Sequence, residues 1–362
     1  MNPETIGSLA RLPPPPPTVP GRFTIAIPTY NRAGFLRRSV QAALSQSHED
    51  VEVLVCDNAS TDDTPAVVRE FGPRVRYYRH DHNLGAYSNF LSAPSLATGE
   101  FFSWLQDDDQ IHREFAGRAS KALTADPDVR AYACYAASGP SVTTYIFPGI
   151  YGPGVPLDWQ SGGIESFRPS DIAAVGFFYN LGIPPTFACR TASILEAVPL
   201  IPADCDLYVE RLIPLLVSQG GLYAVEPWVG GTFFQHSLQH HKALHHANRG
   251  AEQWRNMARL LGAFIADSGD ESWRTSLANS FEQMAVSDRL NWLRDEYTAD
   301  LDWKAVHPIA HEARELLVAS LPPDVRPRPA SKKSLVRNLI KDLTPPILLK
   351  SAVTFRRALS RK

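Results

Sequence analysis

The sequence predicts an α/β fold, a Rossmann-like and mostly parallel sheet flanked by helices. Three observations predict it. Short apolar runs of strand-forming residues alternate with helix-periodic segments from residue 23 to 137. The first two of these runs lead directly into polar loops, and in open α/β sheets ligands bind beyond such strand ends. The run Phe101 to Leu105 passes through Gln106 into three consecutive carboxylates, Asp107, Asp108 and Asp109, which repel one another and call for a nearby cation.

Taken in order, Phe23 to Ile27 reads as a buried strand stopped by Pro28, and Leu36, Val40, Ala43 and Leu44 then recur at helical spacing. Val51 to Cys56 is the second strand, ending at Asp57, followed by a short helix over Thr64 to Phe71 and a third strand over Arg74 to Arg79. A helix over Ala86 to Ala97 stops before Gly99 and leads into the strand that delivers the acidic triplet. Val129 to Ala137 is a fifth strand. Residues 138 to 185, rich in Gly, Pro, Tyr and Phe, lack clean periodicity and suit hairpins or a lid. Helical patterns return over Ala192 to Val198 and Cys205 to Val217, with a strand over Leu222 to Val225. From Glu252 to about Leu321 the composition is helical, and Trp254, Trp273, Trp292 and Trp303 suit its core.

The 362 residues, 44% hydrophobic, suffice for one large or two modest domains. The expected organisation is a disordered Pro-rich leader over 1–21, where Pro13 to Pro17 favour polyproline II, and a main domain over 22–246. That domain divides into a nucleotide-binding half, 22–137, and an acceptor half, 138–246; a helical region, 247–330, and a basic amphipathic tail, 331–362, follow. The formal charge of −2 hides an asymmetry: residues 331–362 hold nine Lys or Arg against Asp342, a net +8 that leaves −10 on residues 1–330. A body of that sign argues against nucleic acid as a partner. Four scattered cysteines form no metal or disulfide pattern and suit reduced thiols in the cytosol. With no export signal and no run of 18 apolar residues, the expected location is cytoplasmic. In the tail, Leu335, Val336, Leu339, Ile340 and Leu343 form an apolar stripe among basic residues, which suits either peripheral docking on an anionic membrane or packing on the body.

In an extended backbone Asp107 and Asp109 share a face while Asp108 points back. Two hard oxygen ligands at that spacing suit Mg²⁺ or Mn²⁺, which keep open positions for water and phosphate. A solvated acidic turn is the alternative. Convergence of Pro28 to Arg32, Asp57 to Asp63 and Asp107 to Asp109 at the strand ends favours the metal reading. Asp62 and Asp63 suit helix capping. His236 and His240, at i and i+4, have zinc spacing, but no acid stands between them in the H-E-x-x-H manner.

Four blocks then carry a resemblance: Ile27-Pro28-Thr29-Tyr30-Asn31-Arg32, Cys56-Asp57-Asn58-Ala59-Ser60-Thr61-Asp62-Asp63-Thr64, Asn83-Leu84-Gly85, and Gly99-Glu100-Phe101 into the acidic triplet. In this order they resemble family 2 glycosyltransferases of the GT-A fold, clearly over residues 22–137 and more weakly to about 246. The resemblance implies an inverting transfer of a sugar from a nucleotide-diphosphate donor to an acceptor hydroxyl, in surface polysaccharide or glycolipid synthesis, with a glycan or glycolipid acceptor.

It implies that Pro28, Thr29, Tyr30 and Arg32 line the nucleotide cleft. Asp57 would accept a hydrogen bond from the base, or else cap the turn that follows it. Asn83 and Gly85 stand where the family has a turn near the donor, although Gly85 also has a purely conformational explanation. The family's Asp-x-Asp motif falls on Asp107 and Asp109, with Gln106 at a position often acidic in relatives; Asp107 and Asp108 would face the donor, and Asp109 is the favoured metal ligand. The base is expected at Asp204, with Asp206 second, although Ala203 stands where an acid is common and Asp204 also suits a helix cap. His236 would approach the donor diphosphate. Two further classes compete: a non-catalytic nucleotide-sugar binding module, and a sugar nucleotidyltransferase, for which the loop after the first strand lacks the glycine-rich, arginine-bearing pattern.

Overall fold

A computed structural model of the chain describes residues 13–138, 145–147, 163–169, 184–201 and 209–233. The expected helical region, the basic tail, the histidine cluster, and both candidate bases, Asp204 and Asp206, lie outside the described residues, as do residues 1–12.

The alternation read from the sequence is present. Strand β1 (Val19–Thr29) leads to helix α1 (Ala33–Leu44), β2 (Val51–Asp57) to α2 (Thr64–Glu70), and β3 (Val75–Arg79) to α3 (Ala86–Leu96). Strand β4 (Gly99–Trp104) carries the chain to the acidic triplet, a short β5 (Gln110–Ile111) follows, and α4 (Phe115–Ala125) returns it to β6 (Val129–Ser138). Short strands β7 (Tyr145–Phe147) and β8 (Glu165–Phe167) precede β9 (Phe187–Arg190), α5 (Thr191–Ala197), α6 (Val209–Val217) and β10 (Leu222–Phe233).

These strands form one sheet in the order β3-β2-β1-β4-β9-β6-β10-β5, with β7 on β6 and β8 on β10. The block β3-β2-β1-β4 is entirely parallel. Strand β9 runs antiparallel between β4 and β6, so the sheet as a whole is mixed. Two of the pieces described within residues 138–185 are therefore strands added antiparallel to the sheet, β7 against β6 and β8 against β10.

Two boundaries differ from expectation. Strand β1 begins at Val19, inside the stretch read as leader, where the Val19 amide donates to the Thr98 carbonyl at 2.8 Å. Nor does Pro28 stop β1, since it pairs with Cys56 and Thr29 with Asp57. Pairing with β4 has already ended at Ala26 and Trp104, so the missing N–H of Pro28 falls where no neighbour needs it.

The core lies between the sheet and its helices. Phe23, Ile25, Ile27, Leu36, Val40, Val53, Val55, Phe115 and Tyr132 are buried in one cluster. The predicted stripe of α1 is buried at Leu36, Val40 and Ala43, and the same face carries a buried Ser39. Where β1 and β4 approach, a Cβ on Gly99 would lie 2.6 Å from the Thr24 nitrogen and 2.8 Å from the Arg22 carbonyl oxygen, so only glycine fits.

Strand β10 runs well past Val225, the end read from the sequence, because it is interrupted rather than finished there. Glu226, Pro227 and Trp228 bulge opposite the single residue Cys134 before pairing resumes at Val229 and Tyr135. The bulge turns Glu226 into a largely buried cluster. Its carboxylate accepts hydrogen bonds from the Tyr132 hydroxyl and from Arg118, both at 2.6 Å, while the Trp228 indole N–H donates to the Tyr132 oxygen at 2.6 Å and Arg118 lies over the Trp228 ring. The end of β10 then pairs with β5, directly after the acidic triplet.

Candidate active site

The carboxyl ends of β1, β2 and β4 are joined by side chains that the three motifs supply. From the end of β1, the Thr29 hydroxyl donates to Asp107 Oδ2 at 2.7 Å. Three residues further, a single guanidinium nitrogen of Arg32, Nη1, lies 3.2 Å from Asp107 Oδ1 and 2.5 Å from Asp108 Oδ2. From α1, the Ser39 hydroxyl reaches the carbonyl oxygens of Asp107 and Asp109, at 2.9 and 2.8 Å, and pins the backbone of the triplet. The Leu105 amide donates to the Ala26 carbonyl, and the Asp109 amide to the Gln106 carbonyl.

This arrangement corrects the strand alternation expected of the triplet. Strand β4 ends at Trp104 and the chain turns at Asp107 and Asp108. Asp108 therefore does not point away; its carboxylate and that of Asp107 meet the same cation, whereas Asp109 is completely buried. Burial pushes the Asp107 carboxyl up to about 7, against the opposing pull of Arg32, with Asp108 adding to the rise and the Thr29 hydrogen bond subtracting from it. Burial lowers the affinity of Arg32 for its proton, but the two carboxylates outweigh that and hold it charged.

The β1 and β2 loops are stitched together through Asn31. Its amide donates to Ser60 Oγ at 2.9 Å and its side-chain oxygen accepts from the Thr61 amide at 2.7 Å. Both Asn31 and Ala59 have left-handed backbone, φ 53° and 61°, a conformation that costs a non-glycine residue about 1 kcal/mol or more and is retained here within the interlocked loops. Asp62 caps two helices at once, accepting from the Ala33 amide at the start of α1 and from the amide and hydroxyl of Thr64 at the start of α2. Burial opposes its ionisation, but the Thr64 and Ala33 hydrogen bonds outweigh it and hold the carboxyl below the usual range. Asp63 occupies the N-cap position of α2 without a side-chain capping bond.

Asp57 is fully buried at the end of β2. Oδ1 accepts from the Ser60 amide at 2.9 Å, which is the turn-capping role, while Oδ2 accepts from the Tyr77 hydroxyl at 2.5 Å and lies 3.3 Å from Arg79 Nε. Asn83 holds the next turn by accepting from Gly85 N and from the Asn58 side chain, which in turn accepts from the Leu84 amide. Gly85 has φ 83° and ψ 156°, a backbone for which glycine is the natural residue. Tyr30 stands 42% exposed beside these loops, unlike its buried neighbour Thr29.

The structure thus brings together Thr29, Arg32, Asp107 and Asp108, and links them through Asn31 and Ser60 to Asp57. Pro28 lies within β1, and Asn83 and Gly85 reach the same loops through Asn58. His236 lies outside the described residues. Sequence reasoning missed three members. Ser39 was legible as a polar residue on the apolar stripe of α1, and Tyr77 and Arg79 as same-face residues near the end of β3. Among the described residues no group of three or more His, Cys, Asp or Glu is spaced to hold a metal ion.

Fold and site together define a domain of the GT-A class, in which paired carboxylates stand at the carboxyl edge of a parallel block. Residues 24–170 match the model of Glycosyl transferase family 2, so the resemblance carried by the four motifs holds over that stretch. An uncharacterized glycosyltransferase of Rickettsia felis is 36% identical over 88 residues, 24% of this chain and 14% of that protein. The GalNAc(5)-diNAcBac-PP-undecaprenol beta-1,3-glucosyltransferase of Campylobacter jejuni is 30% identical over 94 residues, 25% of this chain and 30% of that protein. The chain thus spans less than a third of either relative. The crystal structure of S. aureus TarS 1-349 in complex with UDP-GlcNAc superposes with a TM-score of 0.58 at 17% identity, over 84% of this chain and 82% of that one, a likeness of fold.

Proposed function

We propose that this protein is an inverting glycosyltransferase that moves a sugar from a nucleotide-diphosphate donor to a hydroxyl of a glycan or glycolipid acceptor. The observation that carries the reading is the meeting of Asp107, Asp108, Arg32 and Thr29 at the ends of β1 and β4, tied through the Asn31 loop to the buried Asp57 at the end of β2. That layout supplies what a nucleotide sugar requires: a carboxylate for the base edge, a cationic side chain for phosphate, and paired acids for a divalent cation.

Asp57 is assigned to the base, with Tyr77 and Arg79 fixing its orientation. Pro28, Tyr30, Asn83 and Gly85 are assigned to the walls of the donor site, and His236 to the diphosphate on the resemblance alone. Asp107 is the metal ligand that both spacing and geometry favour. Asp109 is the ligand that the resemblance favoured, but Asp108, whose carboxylate already shares a cation with Asp107, is the partner for Asp107 that the geometry supports better. The fit to Mn²⁺ or Mg²⁺ rests on this donor set: hard oxygens, one of them pulled from its usual ionisation by burial, around a guanidinium standing where a cation is needed. When bound, such an ion neutralises charge on a departing nucleoside diphosphate.

The chain's own residues do the rest. Thr29 and Ser39 hold the acids in place, Arg32 offers a fork to phosphate, and Asp204, or Asp206 after it, would take the proton from the acceptor hydroxyl. Synthesis of a surface polysaccharide or glycolipid is supported by what the Campylobacter jejuni relative's name says of its acceptor. A cytoplasmic location, with the basic tail on an anionic membrane, remains part of this proposal; among the described residues no helix is long and apolar enough to cross a membrane.

A thermal-shift screen of nucleoside diphosphates and nucleotide sugars, with and without Mn²⁺, tests the reading on the wild type and on Asp107→Ala. A metal-dependent stabilisation by one base, a few kcal/mol at saturating ligand and lost in the variant, is expected. Binding without transfer or donor hydrolysis would identify the non-catalytic module instead, and no shift by any nucleotide would remove the donor site.

A further inference from the structure

We infer that Arg32 is an exchangeable counter-ion, holding the Asp107–Asp108 pair until a divalent cation takes its place and its guanidinium passes to the diphosphate of the donor. The inference rests on the donor reading above and adds to it an order of partners for one side chain. One atom carries the argument. Arg32 Nη1 by itself lies 3.2 Å from Asp107 Oδ1 and 2.5 Å from Asp108 Oδ2, so it occupies the space between the two carboxylates that would hold a divalent cation. Two positive centres do not share that position, because they repel strongly in a site this poorly solvated.

The surroundings of Arg32 suit a group that moves. The two carboxylates are held, with side chains 8% and 5% exposed and the Asp107 backbone pinned by Ser39, whereas the Arg32 side chain is 21% exposed and extends from the loop before α1. Its guanidinium carbon also lies 6.0 Å from the centroid of the Phe35 ring, a second surface on which a cation rests favourably. A dication carries twice the charge of the guanidinium, so it gains more from the two acids than the guanidinium does. A planar fork released from carboxylates is matched to phosphate oxygens.

The exchange makes a measurable claim: cation and nucleotide bind cooperatively because the nucleotide draws off the group that competes with the cation, and the coupling is reciprocal. Mn²⁺ binding, followed by the electron paramagnetic resonance of the free ion, is measured on the wild type, Arg32→Gln and Arg32→Lys, alone and with UDP or GDP. The expected result is that Mn²⁺ alone binds Arg32→Gln at least about fivefold tighter than the wild type, the lower end of typical coupling. Arg32→Lys, which keeps a charge without the fork, should fall between them. The nucleotide, which tightens Mn²⁺ on the wild type, should do so less on Arg32→Gln and itself bind more weakly there. Unchanged, weaker or undetectable Mn²⁺ binding by a folded Arg32→Gln overturns the inference, as does equal nucleotide enhancement in all three proteins. If Arg32→Gln is not folded by circular dichroism, Arg32→Lys decides in the same sense. Failure of the wild type to bind either nucleotide would instead overturn the donor reading, and the Mn²⁺ comparison without nucleotide would still judge the competition.

Discussion

Thr29 donates its hydroxyl proton to Asp107 Oδ2 at 2.7 Å, joining the last residue of β1 to the turn beyond β4 across 78 positions of sequence. Both partners are buried, so neither has water as a substitute. Thr29→Val keeps the shape and removes the donor, and should cost about 1–3 kcal/mol of stability, read as a lower urea midpoint. The same change should weaken Mn²⁺ binding, because Asp107 loses the contact that fixes its second oxygen.

Asp107 also sets an expectation for pH. Its folded-state value, about 7, lies above the roughly 3.9 of an unfolded aspartate, so between those values the folded protein binds the extra proton. Its contribution to stability is therefore full at low pH and declines as pH rises towards 7. Urea unfolding at pH 5 and pH 8 should show a larger loss in the wild type than in Asp107→Asn. Cation affinity should run the other way, rising through pH 7 as the carboxylate ionises. A variant with the same pH slope as the wild type would count against the burial argument.

Tyr77→Phe removes the hydroxyl that donates to Asp57 Oδ2 at 2.5 Å and leaves Arg79 and the Ser60 amide as its partners. Nucleotide affinity should fall several-fold, an effect of about 1 kcal/mol, without loss of the fold. Asp57→Asn should cost more, since it removes the charge and reverses one of the two acceptors. Calorimetric titration with the nucleotide identified by the thermal screen measures both.

For the proton acceptor, Asp204→Asn should retain donor binding and lose turnover by roughly 10² to 10⁴, the span of a positioned base. Turnover within tenfold of wild type would move the role to Asp206.

Within β10, Glu226→Ala should destabilise by about 1–3 kcal/mol, because Tyr132 loses its acceptor and Arg118 its buried partner. Since β10 pairs with β5 immediately after the triplet, the variant should also weaken Mn²⁺ binding, whereas a purely distant defect would leave it intact.

Much of this was legible in the chain because period and punctuation are local properties. The apolar runs at Phe23, Val51 and Gly99, the stripe Leu36-Val40-Ala43, and the polar loops that follow them follow from side-chain spacing alone, and their meeting at one sheet edge follows from the handedness of parallel connections. The four motifs named the family that residues 24–170 match. What the chain by itself could not express were pairings between distant segments. Strand β9 enters antiparallel between β4 and β6 because of partners 54 or more positions away, and β10 continues past its bulge because Tyr132 and Arg118 receive Glu226. The direction of Asp108 belongs to the same class. Alternation holds only while a strand lasts, and β4 ends at Trp104, after which Arg32, 76 positions earlier, decides where the carboxylate lies. Sequence determined which residues gather at the strand ends; tertiary structure decided which of them face one another, because electrostatic and hydrogen-bond partners are chosen by proximity in space.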